Sequence, residues 1–254
     1  MKILSIGNSF SQDAHKYLHA LAEADGFSLE TVNLYIGGCT LSRHAENLRS
    51  GEAAYLLEVN GKSTERYVSI AEAVAMGGFD AITLQQASHE STKKATYYPH
   101  IEELAAYVRA NAPVAKLLIH ETWAYEEGSD RLFRVAGYKT AAEMMRDICA
   151  AYREAAARVG ADGVIPSGRA MLRLAETTGL PVHRDTFHAS RGAGRYLLAL
   201  VWYATLTGRP VDGNAFADLE EPVDATLRAA VIRAVVDTLG SIDKDFGKKN
   251  NVAD

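Results

Sequence analysis

The sequence predicts an α/β fold in which a parallel sheet is covered by helices on both faces. Three observations carry this. Apolar runs of strand length alternate with amphipathic runs of helix length. Most strand-like runs stop in glycine or polar residues: Gly7-Asn8-Ser9, Gly37-Gly38, Gln85-Gln86 and His120-Glu121. No repeat, low-complexity tract or linker interrupts the 254 residues.

The elements follow in order. Ile3 to Ile6 reads as a buried strand. Residues 12–25 read as a helix, with Ala14, Tyr17, Leu18, Leu21 and Ala22 at helical spacing and Gly26 as its C-terminal stop. Leu29 to Ile36 is a second strand, and a short helix runs to Arg49. Residues 54–69 read as a hairpin turning at Asn60-Gly61, a strong short-range hairpin signal. Ile70 to Met76 is a helix and Asp80 to Leu84 a strand. Residues 99–112 form a helix and Lys116 to Ile119 a strand.

A long loop, 121–138, holds Trp123, Tyr125 and Tyr138. Loops of this length inside compact domains are usually functional. Thr140 to Val159 is a helix, Ala161 to Ile165 a strand and Ser167 to Thr177 a helix. The segment around Asp185 and His188 comes next, then helices at 191–206 and 224–240. The expected architecture is a three-layer α/β/α sandwich with a flavodoxin-like, five-stranded parallel sheet and a small β-hairpin insertion. One domain should span 1–242, with a charged, fraying tail at 243–254.

Apolar residues make up 48% and charged residues 23%, as in an ordinary globular protein. A net charge of -5 argues against nucleic-acid binding, which requires a basic surface. No run approaches the roughly 18 apolar residues of a membrane span, and no membrane partner is expected. Cys39 and Cys149 are too few for a disulfide framework. With no signal-peptide pattern at the first residues, they point to the cytoplasm. Composition is silent on oligomeric state.

Strand ends are where open α/β sheets bind ligands, so the polar residues there should converge on one rim. Ser9 is the candidate nucleophile. A serine at a helix start is also a preferred N-cap, but Ser11 can take that role and leave Ser9 free. A serine needs a base that is itself oriented by a third group. His188 is the candidate base and Asp185, three residues earlier, the candidate orienting carboxylate. Gly37-Gly38 is either a plain turn or a backbone donor close to an oxyanion. Adjacent side chains on an extended segment point to opposite sides, so at most one of Gln85 and Gln86 should enter the site.

These blocks together resemble the SGNH (GDSL-like) hydrolases, and within them the DUF4886 branch. That family is marked by a nucleophilic Ser, an oxyanion Gly, an oxyanion Asn and a His preceded by Asp at three residues' distance. Here Ser9, Gly38, a Gln in place of Asn, and Asp185/His188 fall in the same order, between residue 3 and about residue 208. Gly-Asn-Ser stands where Gly-Asp-Ser is usual, so Asn8 keeps the hydrogen-bonding shape and loses the charge. The resemblance implies ester hydrolysis without a cofactor or metal. Ser9 attacks, His188 accepts its proton, Asp185 orients His188, and the oxyanion rests on Ser9, Gly38 and Gln86, with Gln85 close behind. The implied substrate is a short acyl ester, acetyl by preference, on a small molecule or carbohydrate. Asn8, His120, Trp123 and Tyr125 are expected to shape its pocket.

Other readings remain open. A lipase or thioesterase of the same superfamily would prefer longer acyl chains. A non-catalytic binding protein could keep the fold without activity, and Asn8 is the feature that admits it. A metal hydrolase would need His183, Asp185 and His188, with His120 and Glu121, as ligands, but no HExxH motif is present. No GxGxxG or Walker loop supports a nucleotide binder.

Overall fold

The computed structural model describes residues 1–247. Its strands are β1 (Lys2–Gly7), β2 (Glu30–Tyr35), β3 (Tyr55–Val59), β4 (Lys62–Val68), β5 (Ala81–Leu84), β6 (Lys116–His120) and β7 (Gly163–Ile165). They form one seven-stranded sheet in the order β4-β3-β2-β1-β5-β6-β7. The strands β2, β1, β5, β6 and β7 run parallel, in the flavodoxin-like order expected. The hairpin is not a separate appendage. β3 pairs antiparallel with β2, so β3 and β4 extend the same sheet to seven strands. Its turn residues Asn60 (φ 52) and Gly61 (φ 70) are both left-handed, which is the twist a two-residue hairpin turn requires.

The helices are α1 (Ser9–His15), α2 (Leu18–Ala24), α3 (Leu41–Ser50), α4 (Ile70–Ala75), α5 (His100–Asn111), α6 (Ala141–Val159), α7 (Ser167–Thr178), α8 (Ala193–Thr207) and α9 (Ala225–Gly247). Two apolar cores cover the two faces of the sheet. One gathers α1, α2, α7, α8 and α9, and the other α3 to α6. The strands feed both by alternation: Ile3, Ala81 and Leu118 enter the first core, and Leu4, Ile82 and Leu117 the second. Ser5 and Thr83 face the first side and hydrogen-bond each other, with His15 of α1 on the Ser5 hydroxyl.

Three segments depart from the sequence expectation. The helix predicted over 12–25 starts earlier, at Ser9, and is two helices broken at Lys16-Tyr17. The hairpin tip presses on the break: a Cβ at Gly61 would lie 2.6 Å from the Lys16 carbonyl oxygen. The loop 121–138 contains a π-helical turn at Arg131–Val135, too short to leave a periodic signal. Of the tail expected at 243–254, residues 243–247 continue α9, and the rest lie outside the described residues. No helix among the described residues is long and apolar enough to cross a membrane.

Candidate active site

The chain enters the site through Gly7-Asn8-Ser9, at the carboxyl end of β1 where strand order reverses. Neither Ser9 nor Ser11 caps α1. The cap is Asn8, whose Oδ1 accepts the Phe10 N–H at 3.0 Å. Ser11 sits one turn in and its hydroxyl accepts the Asn8 N–H at 3.1 Å, closing a capping box. Ser9 is therefore the first helical residue, where a backbone N–H has no partner within the helix. Gly7 must lack a side chain, because a Cβ there would lie 2.2 Å from Ser11 Oγ.

The second half of the site comes from residues 183–189. This loop is closed by an antiparallel bridge between His183 and Ala189. Asp185 Oδ1 accepts the His188 backbone N–H at 2.8 Å, and Oδ2 meets the His188 ring at Nδ1, 2.7 Å away. The three-residue spacing thus lets one carboxylate hold both the backbone and the imidazole. His188 Nε2 lies 2.9 Å from Ser9 Oγ. Burial alone would raise the Asp185 pKa, but hydrogen bonds from the His188 ring and backbone outweigh it and lower it. An ionised carboxylate accepts only, so Nδ1 carries a proton and Nε2 is left free to take the one on Ser9.

What brings the two halves together is Asp13, on α1 one turn beyond Ser9. It is fully buried and accepts from Arg184 Nη1 at 2.9 Å, Arg195 Nε at 2.8 Å and the Ala189 N–H at 3.1 Å. Aromatic packing adds to the clamp. Phe10 stacks on Trp123 with centroids 3.9 Å apart and meets the His188 ring edge-on at 5.9 Å. The Trp123 indole N–H donates to the Phe187 carbonyl at 2.7 Å. Arg131 of the π-helical turn lies 4.1 Å from the Phe187 centroid and donates through Nε to Thr186 Oγ1 at 3.3 Å. Thr186 between them holds φ 72, a strained value for a β-branched residue.

Several predicted roles need correction. Asn8, His120, Trp123 and Tyr125 are 2%, 0%, 0% and 2% exposed, so they form the layer under Ser9 and His188; Trp123 and Tyr125 border a cavity, but one that neither Ser9 nor His188 lines. Gln85 and Gln86 do point to opposite sides, but both are buried, with their amides engaged by neighbouring groups of the protein. The Gln86 amide nitrogen is engaged by Thr96 O and Oγ1 at 3.2 and 3.1 Å, and its oxygen accepts from Leu41 N–H at 2.9 Å. Gln85 Nε2 donates to Asn8 Oδ1 at 2.7 Å, and its Oε1 lies 2.6 Å from His120 Nδ1. Both glutamines are buried struts at 1% and 0% exposure. Gly38, by contrast, is exposed in a turn with φ 63, where a Cβ would meet open space. The left-handed backbone, not crowding, is what calls for glycine there.

His183 and Glu121 are also engaged away from the triad. His183 Nε2 is 3.1 Å from Ala124 O, and buried Glu121 pairs with Arg169 at 3.1 Å. Among the described residues, no group of three or more His, Cys, Asp or Glu is placed to hold a metal ion. Cys39 and Cys149 are unpaired. A cavity of about 340 Å³ lies behind the 179–183 segment, lined by Trp123, Tyr125, Met171 and Val182 among others, but neither Ser9 nor His188 borders it.

The family model "Domain of unknown function (DUF4886)" matches residues 2–235. The chain is a DUF4886 protein. A solved DUF4886 family protein from Bacteroides uniformis is 34% identical over 96% of each chain, with a TM-score of 0.89. The DUF4886 protein also resembles a proposed SGNH hydrolase from Slackia heliotrinireducens, at 25% identity over 81% of this chain and 98% of that one, with a TM-score of 0.57. The acetylxylan esterase Axe2 from Geobacillus stearothermophilus shares the fold at 14% identity over 81% of this chain and 94% of that one, with a TM-score of 0.51. This DUF4886 protein has an α/β fold like that of the SGNH hydrolases. No curated protein sequence matches it.

Proposed function

We propose that this DUF4886 protein is a serine esterase that removes short acyl groups through an acyl-enzyme. The observation that carries the reading is the continuous contact from Ser9 Oγ to His188 Nε2, 2.9 Å, and from His188 Nδ1 to Asp185 Oδ2, 2.7 Å. His188 takes the Ser9 proton as Oγ attacks the ester carbonyl. The oxyanion rests on the Ser9 and Gly38 N–H groups. Collapse of the intermediate expels the alcohol, which leaves with the proton from His188. Water, deprotonated by the same Nε2, then releases the acid and restores Ser9.

Short acyl groups are favoured because the cavity of about 340 Å³ behind the 179–183 segment is bordered by neither Ser9 nor His188, so it offers the serine no room for a long chain. The exposed Gly37-Gly38 turn and the half-exposed Asp185 side chain leave the alcohol side open, which suits a bulky alcohol such as a carbohydrate. The acetylxylan esterase with this fold is in keeping with that choice. The test is hydrolysis of aryl acetate, butyrate and octanoate by wild type and Ser9→Ala. Acetate should be cleaved fastest, and only by the protein that keeps Ser9. Equal rates in the two proteins would end the assignment, and a preference for octanoate would make it a lipase or thioesterase.

A further inference from the structure

A single line of hydrogen bonds runs through the protein to Asn8, and its direction is fixed at both ends. The Trp202 indole N–H, which can only donate, meets Ser167 Oγ at 3.2 Å. Ser167 Oγ is 3.0 Å from His120 Nε2, and His120 Nδ1 is 2.6 Å from Gln85 Oε1. Gln85 Nε2 donates to Asn8 Oδ1, and Asn8 Nδ2 donates to the carbonyl of Cys39 at 3.1 Å. The Phe10 N–H also points at Asn8 Oδ1, so that atom is the oxygen and the other is the amide nitrogen. Gln85 must then present its nitrogen to Asn8 and its oxygen to His120, which leaves His120 protonated on Nδ1 and accepting from Ser167. Every group in the line is buried, and each of its side-chain nitrogen and oxygen atoms has a hydrogen-bond partner.

The last link touches the proposed chemistry. Asn8 precedes Ser9, and Cys39 follows Gly38. One side chain therefore joins the two backbone segments whose N–H groups would hold the oxyanion. We infer that Asn8 is a positioning residue that sets the spacing of the Ser9 and Gly38 amides, and that it must be a neutral amide. An aspartate here could keep the bonds to Phe10 and Gln85, but its other oxygen would face the Cys39 carbonyl with no proton between them. The Asn in Gly-Asn-Ser is then a requirement of this site and no sign of lost activity. This inference rests on the esterase reading.

The test compares aryl acetate turnover by wild type, Asn8→Asp, Asn8→Ser and Ser9→Ala, with thermal melts to establish folding. Asn8→Asp should lower kcat about 10²- to 10³-fold near pH 8, the range of a lost oxyanion donor, with KM within about threefold. Its kcat relative to wild type should rise at least about tenfold towards pH 5, as the buried carboxyl gains a proton to give to Cys39 O. Asn8→Ser keeps a capping hydroxyl for Phe10 but cannot span to Cys39. It should show a similar loss with no recovery at low pH, so the inference stands on this variant if Asn8→Asp does not fold. Wild-type kcat in Asn8→Ser, or a flat Asn8→Asp ratio across pH, would overturn it. Turnover that survives in Ser9→Ala would instead remove the esterase reading and the inference with it.

Discussion

The Asp13 carboxylate accepts the Ala189 backbone N–H at 3.1 Å, across 176 residues of sequence, and so ties the helix that bears Ser9 to the loop that bears His188. The same carboxylate holds Arg184 and Arg195, which are 20% and 11% exposed at the side chain. Removing one partner from such a cluster strands buried charge. Asp13→Ala should cost about 3–5 kcal/mol of stability. Urea unfolding measures this, and a loss below about 1 kcal/mol would show that packing alone holds the two halves together.

Asp185 fixes which ring nitrogen of His188 carries the proton. In Asp185→Asn the amide N–H would face Nδ1 and force the proton onto Nε2, where it blocks transfer from Ser9. Ester turnover should fall roughly 10²- to 10⁴-fold with little change in KM. A variant within about threefold of wild-type kcat would mean that Asp185 serves only the loop backbone.

Burial holds His15, His44 and His120 at pKa values of about 3, against 6.5 for an ordinary histidine. His44 is lowered further by Arg43 and His120 by His15. Between 6.5 and about 3 the unfolded chain binds more protons than the folded one, so stability rises with pH across this window. Their contribution is complete above pH 6.5 and is lost as pH falls towards about 3. The urea midpoint should drop clearly between about pH 7 and about pH 5. The nitrogen shifts of His120 should report a neutral ring protonated at Nδ1 throughout that range.

Arg131 covers Phe187 and bonds Thr186, the strained residue of the triad loop. A cation–π contact between half-buried groups contributes about 0.5–2 kcal/mol, so Arg131→Ala should still fold. Its effect should be local: faster amide exchange at Thr186 to His188, and kcat lowered severalfold. Unchanged exchange at these amides would show that the loop is rigid without this contact.

Much of the site can be read from the residues. Strand ends, the Asn-Gly hairpin and the Asp-x-x-His spacing are local features, and each corresponds to local geometry in the structure. Asp13 could not be singled out, because an acid in a first helical turn is ordinary until its distant partners are known. The two glutamines were misread for a related reason. Alternation puts them on opposite sides of the sheet, but only packing shows that Thr96 and Asn8 already occupy their amides. The four residues expected to line a pocket are polar at strand ends, as Asn8 and His120 are, or aromatic in the loop beyond β6, as Trp123 and Tyr125 are, and both kinds suit a site wall and a buried layer equally well.

By itself, the sequence determined the layers, the parallel sheet and the segments that meet at its carboxyl edge, since apolar periodicity and turn chemistry act over a few residues. Tertiary structure decided which polar atoms remain free there. Hydrogen bonds saturate, so a donor claimed by a buried neighbour is lost to a ligand, and that neighbour can lie anywhere in the chain. Ser9 keeps its hydroxyl for His188 because Asn8, and not a serine, caps the helix. Asn8 is held in place by a line of partners that ends at Trp202.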